Sequence, residues 1–293
     1  MIVDAHQHVW DLARADYDWL DEGSAPIDRT MELDEIATAM RRVGVGGTVL
    51  VQSADNEGDT ANMLRVADAH REVVGVVAWV PLDAPERAAS ELDRLRRDDR
   101  VVGVRTLVHT RPDPGWILRP EVDEGLGVLE SAGVPFDYVV SSPAALALLP
   151  ELSERHPELS IVLDHLGKPP IGGPDTEHAA WRRLLAAAAA NPRLTAKVSG
   201  LYASSGRMGD WTLDTIRPFV DDALDLFGAS RLMIGGDWPI SVLAGGYERT
   251  WDALLALAAE LTPSEAARLL GETAVRVYSI APARLAAAAA LTG

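Results

Sequence analysis

Three short segments of this chain carry side chains suited to hydrolytic or metal-assisted chemistry. Asp4-Ala5-His6-Gln7-His8 places two histidines two positions apart. On a strand, residues two apart share a face, which predicts that Asp4, His6 and His8 point the same way. Two imidazoles so placed can grip one metal ion or one carbonyl oxygen. Asp164-His165-Leu166-Gly167-Lys168 follows the apolar run Ile161-Val162-Leu163, and Asp237 follows Ile234-Gly235-Gly236 and precedes Trp238-Pro239. Glycines at 235 and 236 allow close backbone approach. Each segment has a plainer reading. Histidines are often satisfied in a core, an Asp often caps a turn, and Lys168 can be solvated. All three segments, however, sit directly after a hydrophobic run.

The elements that must position them can be read from periodicity. Eight short runs rich in β-branched residues predict strands at Ile2–His6, Thr48–Gln52, Val73–Val80, Val101–Leu107, Val134–Val140, Ser160–Asp164, Thr195–Ser199 and Leu232–Gly236. Their near-continuous apolar character suits strands buried on both faces. Helical patterns lie between them: Leu33–Val43, Thr60–His70, Glu121–Ala132, Pro143–Arg155, Glu177–Ala190, Leu213–Phe227 and Tyr247–Leu261. Asp83 before Pro85 and Thr262 before Pro263, each with a Glu downstream, predict two further helix starts. Eight alternating strands and helices close most simply into an α/β fold of the (β/α)8 TIM-barrel type. The alternative is an open doubly wound sheet, but no G-x-G-x-x-G follows the first strand. No linker divides the chain, so one domain is expected over 1–293, with an Ala-rich tail at 281–293 that can add a helix. In a barrel the three chemical segments lie at strand C-termini, together with the long loops Asp11–Arg29 and Leu201–Trp211.

Composition narrows the function classes. A formal net charge of −17 disfavours nucleic acid and anionic membrane as partners. The absence of cysteine removes disulfides, thiolate metal sites and a Cys nucleophile. The N-terminal segment reads as no signal peptide, and no stretch is long enough to span a bilayer, so a cytoplasmic protein is expected. A homo-oligomer is compatible with all of this. No G-x-S-x-G elbow is present, and Gly200, Gly206 and Gly209 lack Walker spacing.

The combination of DAHQHVWD, DHLGKP and GGDWP with a barrel pattern resembles the lactonase branch of the amidohydrolase superfamily. That branch takes in L-fuconolactonases, L-rhamnonolactonases and 2-pyrone-4,6-dicarboxylate lactonases. The likeness runs from Ile2 to about Tyr278. It implies a lactone hydrolase with His6, His8, His165 and Asp237 as its catalytic and metal-holding residues. Many amidohydrolases bring a Lys or Glu from strand four and a His from strand five. Here strand four offers Arg105, and strand five offers Asp137 and Tyr138. The resemblance therefore implies one divalent metal, with zinc the ion that suits this donor set, or no metal at all.

Lactone hydrolysis needs an activated water and a stabilised oxyanion. Asp237 is the expected general base, and the three histidines polarise the carbonyl directly or through the metal. Expected substrate contacts are Arg105, Lys168 and Lys197, with His109 joining them and Trp10, Trp238 and Tyr202 walling the pocket. For Lys197, inside a strand, a buried ion pair is an equal alternative. His70, His156 and His178 are expected at the surface. Competing readings are a metal-dependent decarboxylase of an aromatic or unsaturated acid, a pyrone-dicarboxylate lactonase and a non-catalytic sugar-acid binder. A neutral aldonolactone is favoured over a dicarboxylate because few basic residues end the strands.

Overall fold

The computed structural model describes residues 1–204 and 208–290, so Gly206 and the end of the tail lie outside the described residues. Eight parallel strands form one sheet in chain order: β1 (Ile2–Gln7), β2 (Val45–Val51), β3 (Val73–Ala78), β4 (Val101–Thr106), β5 (Phe136–Tyr138), β6 (Ile161–Leu163), β7 (Leu194–Val198) and β8 (Leu232–Ile234). Every expected strand is present. Two hydrogen bonds join the ends of β8 and β1. His8 N–H donates to the Trp238 carbonyl at 2.7 Å, and Asp237 N–H donates to the His6 carbonyl at 2.8 Å. The sheet is thereby drawn round into the expected TIM barrel.

Helices fill the connections: α1 (Ala37–Arg42), α2 (Glu57–Ala69), α3 (Pro85–Leu95), α4 (Pro120–Ala132), α5 (Pro143–Leu146), α6 (Leu149–Arg155), α7 (Asp175–Ala189), α8 (Leu213–Phe227), α9 (Tyr247–Ala258), α10 (Pro263–Ala267), α11 (Thr273–Val277) and α12 (Pro282–Ala289). The helix expected over Pro143–Arg155 is two helices. Pro150 lacks an N–H and its ring would strike the carbonyl of Leu146, so the chain breaks between them. Asp83 caps nothing, because Pro85 takes the first helical position and the cap falls on Ala84. The Thr262–Glu265 capping box forms as expected.

Buried apolar residues separate into two cores. Val3 and Ala5 of β1 meet Val49, Val51, Val77, Val102, Val162 and Met233 in one cluster. Side chains from β1, β2, β3, β4, β6 and β8 can meet only inside the barrel. Ala274, Tyr278 and Ile280 join them from the C-terminal segment and close the bottom. The larger cluster, with Leu50, Val76, Val104 and Phe136, packs the outer strand faces against the helices. No helix among the described residues is long and apolar enough to cross a membrane.

Candidate active site

The first strand does not alternate as expected. Asp4 pairs with Thr48 and Gln7 with Leu50, so three steps on β1 match two on β2. This bulge turns Ala5 and His6 inward together, opposite Val49. Asp4 is thereby left outside, a correction to the reading that it shares a face with His6 and His8. Its carboxylate accepts from Gly236 N–H at 2.9 Å, Gln7 Nε2 at 2.7 Å, Tyr247 Oη at 2.9 Å and Trp251 Nε1 at 3.2 Å. Asp4 thus ties β1 to α9 and fixes the strand end that carries both histidines. His8 Nδ1 lies 2.7 Å from the Val51 carbonyl, which aims Nε2 into the site.

The β6 and β8 ends are bent sharply. His165, Leu166 and Lys168 have φ of 54°, 51° and 54°, and Asp237 has 51°. Left-handed backbone at non-glycine residues is costly and persists only where surroundings impose it. Trp181 Nε1 donates to the Leu166 carbonyl at 2.9 Å, and His165 Nδ1 lies 3.0 Å from the Ser199 carbonyl. A Cβ on Gly200 would lie 2.5 Å from His165 Nδ1 and 2.6 Å from Asp237 Oδ2. Only glycine leaves room for both groups. Gly235 has the same function beneath His6, whose Cβ a side chain there would meet at 2.5 Å.

The four expected groups converge. His6 Nε2 and His8 Nε2 are 3.1 Å apart, and Asp237 Oδ1 lies 3.6 and 3.3 Å from them. The His6 and His165 rings meet edge to face at 4.7 Å. Burial opposes ionisation of Asp237, but His165, His8 and His6 outweigh it and hold the carboxyl below its usual range. Tyr202 Oη adds a hydrogen bond to Asp237 Oδ2 at 3.1 Å.

A charged layer lies under these groups. Arg105 Nη1 donates to Asp164 Oδ2 at 2.9 Å, and its Nη2 to the Gln52 carbonyl. Lys197 Nζ contacts Asp137 Oδ2 at 2.5 Å, Asp164 Oδ1 at 3.1 Å and His6 Nδ1 at 3.1 Å. Tyr278 rises from the barrel floor and donates to Asp137. Burial pushes Asp137 up to about 6 despite Lys197. Burial also works against Asp164, but Lys197, His6 and Arg105 prevail and hold it well below its usual range.

A cavity of about 210 Å³ opens above. Its walls include His8, Arg105, His109, His165, Lys168 and Asp237, as expected from the sequence. Five other expected residues do not line it. His6 is fully buried, with its Nε2 against His8 Nε2. Lys197 is fully enclosed in the layer below. Trp10 is buried with Nε1 donating to the Arg29 carbonyl at 2.6 Å, and its ring supports Trp19 edge to face at 5.2 Å. Trp238 and Tyr202 are buried behind Asp237. His156, expected at the surface, is buried beside Glu130 and Asp123.

Sequence reasoning missed Trp19, Ser53, Leu107, Val139, Met208 and Ile240, which complete the wall. Trp19 and Met208 come from the two loops assigned to this face, so their region was legible though the residues were not. The first loop is fastened from below. Asp59 accepts from Tyr17 Oη at 2.9 Å and Ser53 N–H at 2.8 Å, and Trp19 Nε1 donates to the Ser53 carbonyl at 2.7 Å.

The donor set fits a divalent metal. Zinc with bonds of about 2.0–2.1 Å needs tetrahedral ligand atoms roughly 3.3 Å apart, close to the spacing of His6 Nε2, His8 Nε2 and Asp237 Oδ1. His6, His165 and Asp237 offer ligand atoms within 4.8 Å of one another.

A barrel with these groups at its strand ends places the chain in a class, and comparison names it. The amidohydrolase family model matches residues 3–280, and the chain belongs to this family. The chain is similar to an L-fucono-1,5-lactonase of Burkholderia ambifaria, with 35% identity over 95% of each chain. It is 31% identical to an L-fucono-1,5-lactonase of Burkholderia multivorans, over 95% of this chain and 96% of the relative. A solved amidohydrolase from Burkholderia multivorans with bound zinc superposes with a TM-score of 0.88 at 30% identity, covering 96% of this chain and all of that one.

Proposed function

We propose that this protein hydrolyses the ester ring of a small sugar lactone, with a 1,5-lactone of a 6-deoxy sugar acid such as L-fuconate as the leading substrate. The observation that carries the reading is the Asp237 carboxyl at the wall of a one-ring cavity, in contact with His6 and His8 and held below its usual range by the imidazoles around it. The names of the two lactonase relatives support the lactone and the ring size. Cavity charge supports a neutral substrate. Arg105 is paired with Asp164, and Arg111, in the segment after β4, is paired with Asp55. Lys168 is the one cavity-lining cation without a carboxylate partner among the described residues. A dicarboxylate would need more. Leu107, Val139 and Ile240 offer an apolar wall suited to a deoxy methyl group.

In this mechanism Asp237 takes a proton from water as the oxygen attacks the lactone carbonyl. Lys168 and Arg105 face the oxyanion that forms. Collapse breaks the ring C–O bond, and the proton on Asp237 passes to the leaving alkoxide, giving the open hydroxy acid. Trp19 and the loop behind it shield the reaction from bulk water. His6, His8, His165 and Asp237 would hold a divalent metal, which would supply Lewis-acid polarisation when bound. We further read residues 1–293 as one domain acting on a small molecule in the cytoplasm. Its acidity argues against a nucleic-acid partner, and a homo-oligomer remains compatible.

A panel of 1,5- and 1,4-aldonolactones in a pH-indicator assay, with and without chelator, tests the reading. Turnover of 1,5-lactones of deoxy sugar acids is expected. If no lactone reacts and an unsaturated or aromatic acid releases carbon dioxide, the decarboxylase reading replaces it.

A further inference from the structure

The turn that follows β6 contains one buried carbonyl that its own stretch of chain cannot satisfy. His165, Leu166, Gly167 and Lys168 all have left-handed backbone, with φ of 54°, 51°, 70° and 54°. The Lys168 N–H closes this turn on the His165 carbonyl at 2.9 Å. Leu166 is fully buried, so its carbonyl needs a donor. A turn ordinarily supplies one from three or four residues on. Here those residues are Pro169 and Pro170, which have no N–H. The next N–H, of Ile171, donates to the Pro169 carbonyl at 2.9 Å. Trp181 Nε1 supplies the missing donor from α7, at 2.9 Å.

Trp181 is itself braced. Its ring meets Phe219 of α8 edge to face at 5.3 Å. His178 packs on Phe219 at 4.3 Å, and its Nε2 lies 2.7 Å from Asp222 Oδ2. The indole is thus fixed from two helices, and its N–H can only donate. The outer side of the turn is incompletely packed. There Gly167, Lys168 and Pro170 border, with Trp181, a cleft of about 240 Å³. Three non-glycine residues in left-handed backbone favour relaxation of the turn. The cleft beside Gly167 gives a released Leu166 carbonyl a way toward solvent.

We propose that Trp181 is a positioning residue that works through Lys168. It lies in the helix layer, outside the cavity, and holds the turn that delivers Lys168 to the cavity wall. A shift of the turn is felt at Lys168, which ends it and has no carboxylate partner among the described residues. His165, at the other end, is held separately by Ser199, whose carbonyl and Oγ each lie 3.0 Å from Nδ1. The rate effect rests on the proposed lactone hydrolysis, in which Lys168 faces the oxyanion; the structural effect does not.

Trp181→Phe keeps a ring against Phe219 and removes the donor. Crystal structures of the wild type and this variant need no substrate, and the Lys168 Cα is expected to move by about 1 Å or more between them. An unchanged turn overturns the proposal. On a 1,5-lactone, Trp181→Phe is expected to lower kcat by about 10- to 100-fold and to change KM by less than about threefold. In a Lys168→Met background the same substitution should change kcat by less than about twofold. A wild-type kcat in Trp181→Phe, or an equal fall in both backgrounds, also overturns the proposal. If no lactone is turned over while the turn still moves, lactone hydrolysis fails and the positioning role stands. Should Trp181→Phe not fold, Trp181 is replaced by benzothienylalanine, which exchanges N–H for sulfur at nearly constant shape, and the same measurements decide.

Discussion

The two ends of this barrel are built by opposite rules. At the C-terminal ends of the strands the backbone is forced and the buried groups are polar. Four of the five left-handed non-glycine residues among the described residues lie there: His165, Leu166, Lys168 and Asp237. Each such conformation costs on the order of 1–3 kcal/mol. At the other end Val3, Ala5, Val49 and Val102 meet Ala274 and Ile280 in a sealed apolar plug. Stability is generated where no chemistry occurs, which allows the open end to hold convergent, desolvated groups. The Lys197 layer joins the two, with Tyr278 reaching from the plug to Asp137.

Substitutions at the two ends should therefore separate rate from stability. The largest effect is expected for Asp237→Asn. Asparagine tolerates the left-handed backbone, so the fold should persist. Loss of the base should lower kcat on a 1,5-lactone by about 100- to 10,000-fold, read by steady-state kinetics with a thermal melt as control. A rate within tenfold of wild type would remove Asp237 from the mechanism. At the plug, Ile280→Ala should lower unfolding free energy by about 2–5 kcal/mol in urea titration. Its kcat under native conditions should stay within twofold. A large fall in kcat without loss of stability would break the division.

The smallest effect concerns His109, which lines the cavity and whose imidazole is lowered to about 3 by burial, then by Lys168 and Arg105. Its folded pKa lies below the unfolded value, so the unfolded chain binds the extra proton. The contribution is fully present above about pH 6.5 and is lost as pH falls toward 3. His109→Gln should flatten the acid dependence of stability in that window, measured by denaturation at several pH values. An unchanged slope would show that His109 is not held neutral by the fold.

Much of this arrangement was legible before any coordinates. The eight strands could be read because strands covered on both faces are apolar almost throughout. His6, His8, His165 and Asp237 could be read because each follows such a run, and the strand C-termini of a barrel share one face. What escaped reading depended on small departures from regularity. One extra residue in β1 reverses the side of the sheet on which Asp4 lies. Trp10 and Trp19 belong to the same loop region, and only packing decides that the first supports and the second lines the cavity. Lys197 alternates inward on β7 as a contact residue should, but it sits one layer too deep to reach substrate.

Residue type and spacing alone determined the barrel, the strand ends that bear reactive groups, and the choice of an Asp–His site over a serine or cysteine nucleophile. These follow from local periodicity and covalent order. Tertiary structure decided depth and partners: which cations are neutralised and which aromatics face the cavity. The reason is physical. Desolvation and hydrogen-bond counts depend on neighbours distant along the chain, such as Lys197 meeting Asp137 and His6, and no local pattern encodes them.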